Sequence, residues 1–365
     1  MRSKTNKNVA KARIITIIIL AFALFLLGLL EGHPQFIERY YSKGVYLFIC
    51  HIFHPVFNLL PFSVGDVLYL VVIGFIVYYL VVLIRLLFKK QFKQAGILCL
   101  GMIMGVQIGI LAFYLLWGIN YFRPSAAERL KLVDTSYSTE ELASLTKILI
   151  DSANATRARV TNADLQQSNS SIRQTAIDAI RTLSAGSVDF YTYAPDVKLS
   201  LFTPLINMMG TSGYYNPFTC EAQMNYQMPV FVRPFVACHE MSHQMGYGAE
   251  DEANFVGFLA GINSKDRLLR YSAYHEAVDE FMHDIYMRDT VLHKQLKLRV
   301  SPTVHNDFVI EFNYWVAHES AINAVSSVFY DQFLKANNQP QGLKTYNQMV
   351  RLVISWYHRK LATGH

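Results

Sequence analysis

The sequence predicts an α-helical membrane region with three transmembrane helices, followed by a mainly α, α+β soluble domain with a small sheet. Three observations predict this. The first 122 residues hold three long, uncharged, apolar runs; beyond them apolar residues recur at helical spacing between polar loops; and two short alternating stretches there read as strands. With 365 residues and 52% apolar content, the chain is long enough for one membrane region, 1–122, and one sizeable soluble domain, 123–365.

The uncharged runs are Ile14 to Leu30, Val67 to Ile84 and Gln94 to Phe122, and they place membrane spans at about 14–30, 67–88 and 95–118. No small-x-small cleavage site follows the first run, so it is expected to stay as a span rather than leave as a signal peptide. Residues 44–63 are also uncharged, but His51, His54, Pro55, Asn58 and Pro61 interrupt them, which predicts an interfacial or re-entrant segment. Orientation follows from basic residues. Arg2, Lys4, Lys7, Lys11 and Arg13 precede the first run, and Arg85, Lys89, Lys90 and Lys93 separate the second from the third. Both groups belong in the cytoplasm, so the chain is expected in the cell membrane with a cytoplasmic N-terminus and an extracytoplasmic C-terminal domain.

Net charge of +6 does not imply a nucleic-acid partner. Residues 1–122 carry eleven Lys and Arg against three Asp and Glu, leaving twenty-two against twenty-four in the rest. The basicity is a topology signal, and no Gly-rich phosphate loop is present. Cys50, Cys99, Cys220 and Cys238 form no C-x-x-C pair; Cys238 reads as a packed core residue, and no disulfide framework is expected.

In the second half, Ser138-Thr-Glu-Glu141 is a capping box before a helix with Leu142, Leu145 and Leu149 on one face. Ile172, Ala176, Ile180 and Leu183 mark a second helix that Gly186 should stop, after a loop at Thr161 to Asn169. Val197 to Leu201 alternates as a strand, and Thr219 to Tyr226 forms another between Pro217 and Pro229. From Ser264 onward the pattern is helical, with Tyr274, Ala277, Val278 and Phe281 on one stripe and an amphipathic run from Tyr346 to Tyr357.

The chemistry is concentrated at His239-Glu240-Met241-Ser242-His243, which reads H-E-x-x-H. On a helix, residues four apart share a face, so both imidazoles can reach one ion while Glu240 sits beside it as a base for bound water. Gly246 and Gly248 then break the helix, and Phe255, Phe258 and Leu259 begin another. Glu250 opens that second helix and can swing back to complete a two-histidine, one-carboxylate set. Asp251 and Glu252 compete with it for that role, or serve as favourable charge at a helix N-terminus.

The segment resembles the glutamate-type zincin metallopeptidases, whose third ligand begins a motif E-x-x-A-[D/N] or E-G-x-A-x-[Y/F] on a second helix; Glu250, Ala253, Asn254 and Phe255 fit both forms. The resemblance implies that His239, His243 and Glu250 bind Zn²⁺, that Glu240 is the general base, and that Asn254 orients a ligand from behind. Glu252 remains the alternative third ligand. Such peptidases hold extended peptide or protein substrates against an edge strand over the metal, for which Thr219 to Tyr226 is the candidate. A tyrosine beyond Ser264, or His318, is expected to donate to an oxyanion opposite Glu240.

More widely, Trp117-Gly-Ile-Asn-Tyr-Phe-Arg123, Pro217-Phe-Thr-Cys-Glu-Ala222 and Tyr330-Asp-Gln-Phe-Leu-Lys-Ala-Asn337 are similar to a bacterial family of multi-pass membrane proteins catalogued only as a domain of unknown function. The expected function is a membrane-anchored, zinc-dependent metallopeptidase. Its rival is a non-catalytic membrane receptor or assembly factor that keeps the metal fold for binding, a role that does not require Glu240. A protease acting within the bilayer is excluded, because the polar stretch from Arg233 to Glu252 cannot span.

Overall fold

The structure is a computed structural model, and it describes residues 2–132, 136–343 and 349–363. Among these, three helices are long and apolar enough to cross a membrane: Asn6–Gly28 within helix α1 (Arg2–Gly28), then Val64–Phe88 and Phe92–Leu116. Two soluble-type features follow from where those helices stop. The second span begins at a Ser63 cap, with Asp66 in its first turn. The third ends at Leu116, earlier than the apolar run suggested, and Gly118–Phe122 forms a buried 3₁₀ turn inside the domain.

The segment at 44–63 forms helix α2 (Tyr46–Phe57), entered through a π-helical turn at Ile37–Val45. Tyr46, Cys50 and His54 are buried on one face. Phe48, Ile52 and Val56 are exposed on the other, so the helix carries an apolar outer stripe. Helix α3 (Val64–Phe88) and helix α4 (Phe92–Leu116) are the second and third of the helices long and apolar enough to span.

The domain is mostly helical. Helix α5 (Thr139–Arg157) carries the expected capping box, with the Ser138 and Glu141 side chains each bonded to the other's backbone N–H. Its buried Leu142, Leu145 and Leu149 pack into a core shared with helix α6 (Asn169–Gly186), whose Ile172, Ala176 and Ile180 are also buried. Each fully buried Leu or Ile is worth about 1.5–3 kcal/mol. This core supports helix α7 (Arg233–Gln244), helix α8 (Glu250–Ile262) and helix α9 (Arg267–Arg288). Helix α10 (Pro302–His318), helix α11 (Ala321–Ala336) and helix α12 (Met349–Thr363) complete the chain. Part of the amphipathic run expected from Tyr346 lies outside the described residues.

The sheet has three strands: β1 (Val197–Leu199), β2 (Gly213–Asn216) and β3 (Glu221–Met224), in the order β1-β3-β2. Here one expectation is corrected. The stretch Thr219 to Tyr226 supplies the central strand, paired in parallel with β1 and antiparallel with β2, so both its edges are taken. The strand beside it, β2, has too little alternation in Gly-Tyr-Tyr-Asn to announce itself in sequence, yet it is an edge strand, as β1 is on the opposite side of β3.

The sheet is fastened to the membrane-side elements by buried polar contacts. Glu221 accepts from the backbone N–H groups of Val64 and Gly65 at the start of α3, and pairs with Lys198, which also donates to the Phe57 and Phe62 carbonyls. On the same face of the sheet, Asp66 bonds the Tyr214 hydroxyl, and it also accepts from the Leu201 N–H.

Candidate metal centre

Helix α7 carries Pro234 in its first turn, where a missing N–H costs nothing, and is buried from Pro234 to Gln244. It ends because Gly246 turns the chain with φ of +78°, a conformation that favours glycine. A Cβ there would also meet Arg123 Nη1 at 2.9 Å. Helix α8 starts four residues later, with Glu250, Asp251 and Glu252 in its first turn and the Gln339 side chain accepting from the Glu250 N–H.

This turn brings the predicted residues together. One ligand atom each from His239, Glu240 and His243 lie within 4.8 Å of one another, and all three residues are buried. The imidazoles are held from behind. His243 Nδ1 donates to the Tyr247 carbonyl at 2.7 Å, and His239 Nδ1 lies 2.7 Å from Asn254 Oδ1. Both Nε2 atoms therefore face forward, toward Glu250 Oε2 at 3.2 and 3.7 Å. Glu252 points elsewhere: it pairs with Arg129 at 2.9 Å and accepts from the Ala126 N–H, so it is tied to the start of the domain rather than to the histidines. Asp251 is buried beside it.

The charge balance fits a cation. Burial pushes the Glu240 carboxyl up to about 7, with the histidines opposing and Glu250 reinforcing the rise. Burial also acts to depress His243, but Glu250 beside it wins and holds it at about 9. Glu250 itself is held well below the usual carboxylate range, because the two imidazoles outweigh its burial. Glu240 Oε2 is buried with no hydrogen-bond partner among the protein atoms. Two buried carboxylates, one of them unpartnered, face two forward-pointing imidazole nitrogens; this donor set suits a divalent ion of the zinc type.

The sequence marks the tyrosines beyond Ser264 only as a group, without singling out Tyr330, and gives no signal for the other contacts in this neighbourhood. The Tyr330 hydroxyl of α11 donates to Glu250 Oε1 at 2.7 Å. Trp117 Nε1 donates to the His243 carbonyl at 2.9 Å, and Tyr46 donates to the Gln244 carbonyl at 2.8 Å. Gly213 of β2 lies so close that a Cβ would sit 2.5 Å from Glu240 Oε1 and 2.7 Å from the Gln223 carbonyl. Trp117 and Tyr330 stand in the stretches that carry the wider family likeness, but nothing in their spacing assigns a contact. Of the expected oxyanion donors, His318 is bonded through Nδ1 to the Tyr314 carbonyl, and Tyr314 to Asn207. Cys220 and Cys238 are both free thiols, as the lack of a disulfide framework predicts.

The structure thus defines a chain with three membrane-type helices whose domain buries a two-histidine, two-carboxylate cluster on a helix-turn-helix. It belongs to the family described as "Protein of unknown function (DUF3810)", whose profile matches residues 41–354, a span that includes the second and third membrane-type helices and the whole cluster. No curated protein and no solved structure matches it.

Proposed function

We propose that this protein is a membrane-anchored, zinc-dependent hydrolase of the zincin kind, a metallopeptidase whose domain faces the extracytoplasmic side. One observation carries the reading: the forward-pointing Nε2 atoms of His239 and His243 converge on Glu250 while an unpartnered Glu240 carboxylate lies beside them. His239, His243 and Glu250 would hold the ion, with Asn254 and the Tyr247 carbonyl fixing the two rings. Zinc bound there supplies Lewis-acid polarisation of a carbonyl and a more acidic water.

The rest of the chemistry belongs to the chain. Glu240, whose Oε2 has no hydrogen-bond partner, takes a proton from the attacking water there and returns it to the leaving amine. An extended substrate pairs along the free edge of β2, which lies against Glu240 through Gly213. The rings of Trp117 and Tyr215 flank His243 and pack against its imidazole.

The test separates holding the metal from using it. Glu240→Gln keeps the side-chain shape and removes the base, so zinc content should be unchanged while hydrolysis of a peptide library falls by roughly 10²–10⁴-fold. Unchanged turnover in a zinc-loaded variant would overturn the assignment. Zinc without any turnover in the wild type would favour the receptor reading.

A further inference from the structure

Helix α11 is built inside out. Its inward side is polar and small: Ser320 Oγ donates to the Met208 carbonyl, Ser326 Oγ to the Met209 carbonyl, and Asn323 lies against Gly210. Its outward side from Ala321 to Tyr330 holds no charge, and Val325, Val328 and Phe329 are 58%, 63% and 73% exposed. The end of α10 continues the surface with Phe312, 66% exposed, and Val316. A helix on a water-soluble surface has the opposite arrangement, and contiguous apolar patches beyond a few hundred Å² are rare on soluble monomers.

The two ends of α11 show what covers it. At its C-terminal end the Phe333 ring stacks edge-on at 5.9 Å against Phe113, one turn before the end of the third span, and Tyr114 donates to Asn337 Oδ1. At its N-terminal end it is bonded to Met208, the last residue of the short helix Thr203–Met208. That helix follows Leu201, whose N–H is held by Asp66 in the first turn of the second span. Leu201, Leu205 and Met208 are themselves exposed. A helix of sixteen residues, roughly 24 Å long, is therefore tied at both ends beside the ends of two spans.

We infer that the outward face of α11, with the adjoining end of α10, is a lipid-docking surface that lies in the bilayer interface on the domain's side of the membrane. The inference rests on the membrane-spanning helices and stands whether or not the cluster at His239 is a hydrolase. Burial to the headgroup–acyl boundary, about 5–10 Å for an interfacial helix, is enough to take up these side chains. The same helix carries Tyr330 to Glu250, so the lipid surface seats the element that closes over the candidate metal centre.

The test uses the full chain with Cys99→Ser, the other three cysteines being buried, reconstituted in phosphatidylethanolamine–phosphatidylglycerol vesicles. A nitroxide is placed in turn at Val325, at Phe329 and, as a water-facing control, at the exposed Ser170 of α6. Collisions with oxygen, which concentrates in lipid, are compared with those of a water-soluble nickel complex. Oxygen should dominate at Val325 and Phe329, and nickel at Ser170. Nickel dominating at both α11 positions would overturn the proposal, and so would suppression of both colliders there, which would mean that a second copy or another protein covers the face.

Discussion

The ion pair between Glu38 and Arg123 offers a test that needs no substrate. Arg123 Nε and Nη2 donate to the two Glu38 oxygens at 2.7 and 3.2 Å, and Arg123 Nη1 donates to the Gly246 carbonyl at 2.9 Å. The pair thus braces the turn between the two helices of the candidate metal centre. Burial by itself would raise the Glu38 pKa, but the Arg123 hydrogen bonds and charge reverse the effect and bring it from 4.5 to about 2. At about 1.4 kcal/mol per pH unit this sets a ceiling near ~3 kcal/mol. Solvent screening where Lys43 joins the pair reduces the expected contribution to ~2 kcal/mol. A carboxylate depressed in the folded state stabilises it fully above its unfolded pKa, and that stability is lost as the pH falls from about 4.5 toward 2. Unfolding of purified protein in detergent, followed by denaturant titration at pH 7, 5, 4 and 3, should show Glu38→Gln less stable by ~2 kcal/mol at pH 7. The gap should close progressively below pH 4.5. A gap that stays constant down to pH 3, or is absent at pH 7, would refute the reasoning.

Three further outcomes are expected. Metal analysis should find about one zinc per chain, abolished by His239→Ala, His243→Ala or Glu250→Ala; Glu252→Ala should keep zinc and lose stability instead, since it strands buried Arg129, and loss of zinc only in Glu252→Ala would reassign the third ligand. Gly213→Ala forces a Cβ against Glu240 and a backbone carbonyl that cannot yield, so zinc should remain while stability falls by about 1–3 kcal/mol and turnover by roughly 10²-fold; wild-type turnover would show that β2 does not set the position of Glu240. Reporters fused after His365 and after Lys90 should behave as extracytoplasmic and cytoplasmic respectively, and the reverse pattern would invert the orientation.

The membrane-type helices and the two site helices were legible because their signals are local. Uninterrupted apolar runs and the four-residue spacing of His239 and His243 depend on nothing distant, and the glycine at 246 marks the turn by itself. The capping box at Ser138 was legible for the same reason. What the sequence hid depends on contacts far apart in the chain. Glu250 and Glu252 both begin a helix, and only Arg129 and the Ala126 N–H, over a hundred residues upstream, draw Glu252 away. The central place of β3 follows from two short partners, one of which, β2, has no alternation to read. Tyr330 reaches Glu250 across eighty residues. The direction of the apolar face of α11 is hidden too, because a helical stripe does not say which side meets the protein.

The contacts between the membrane-side elements and the sheet also decide what proteolysis can do to this molecule. Glu221, Lys198 and Tyr46 take their partners from residues 57–65, from each other and from the Gln244 carbonyl next to the second histidine. A fragment beginning after Phe122 would keep the Lys198–Glu221 pair but strip it of the Phe57 and Phe62 carbonyls and the Val64 and Gly65 N–H groups, and would open a hole where the Tyr46 ring sits. The domain and the segment at 37–65 are thus one folding unit, and a recombinant version meant for solution work has to keep residues from Ile37 onward.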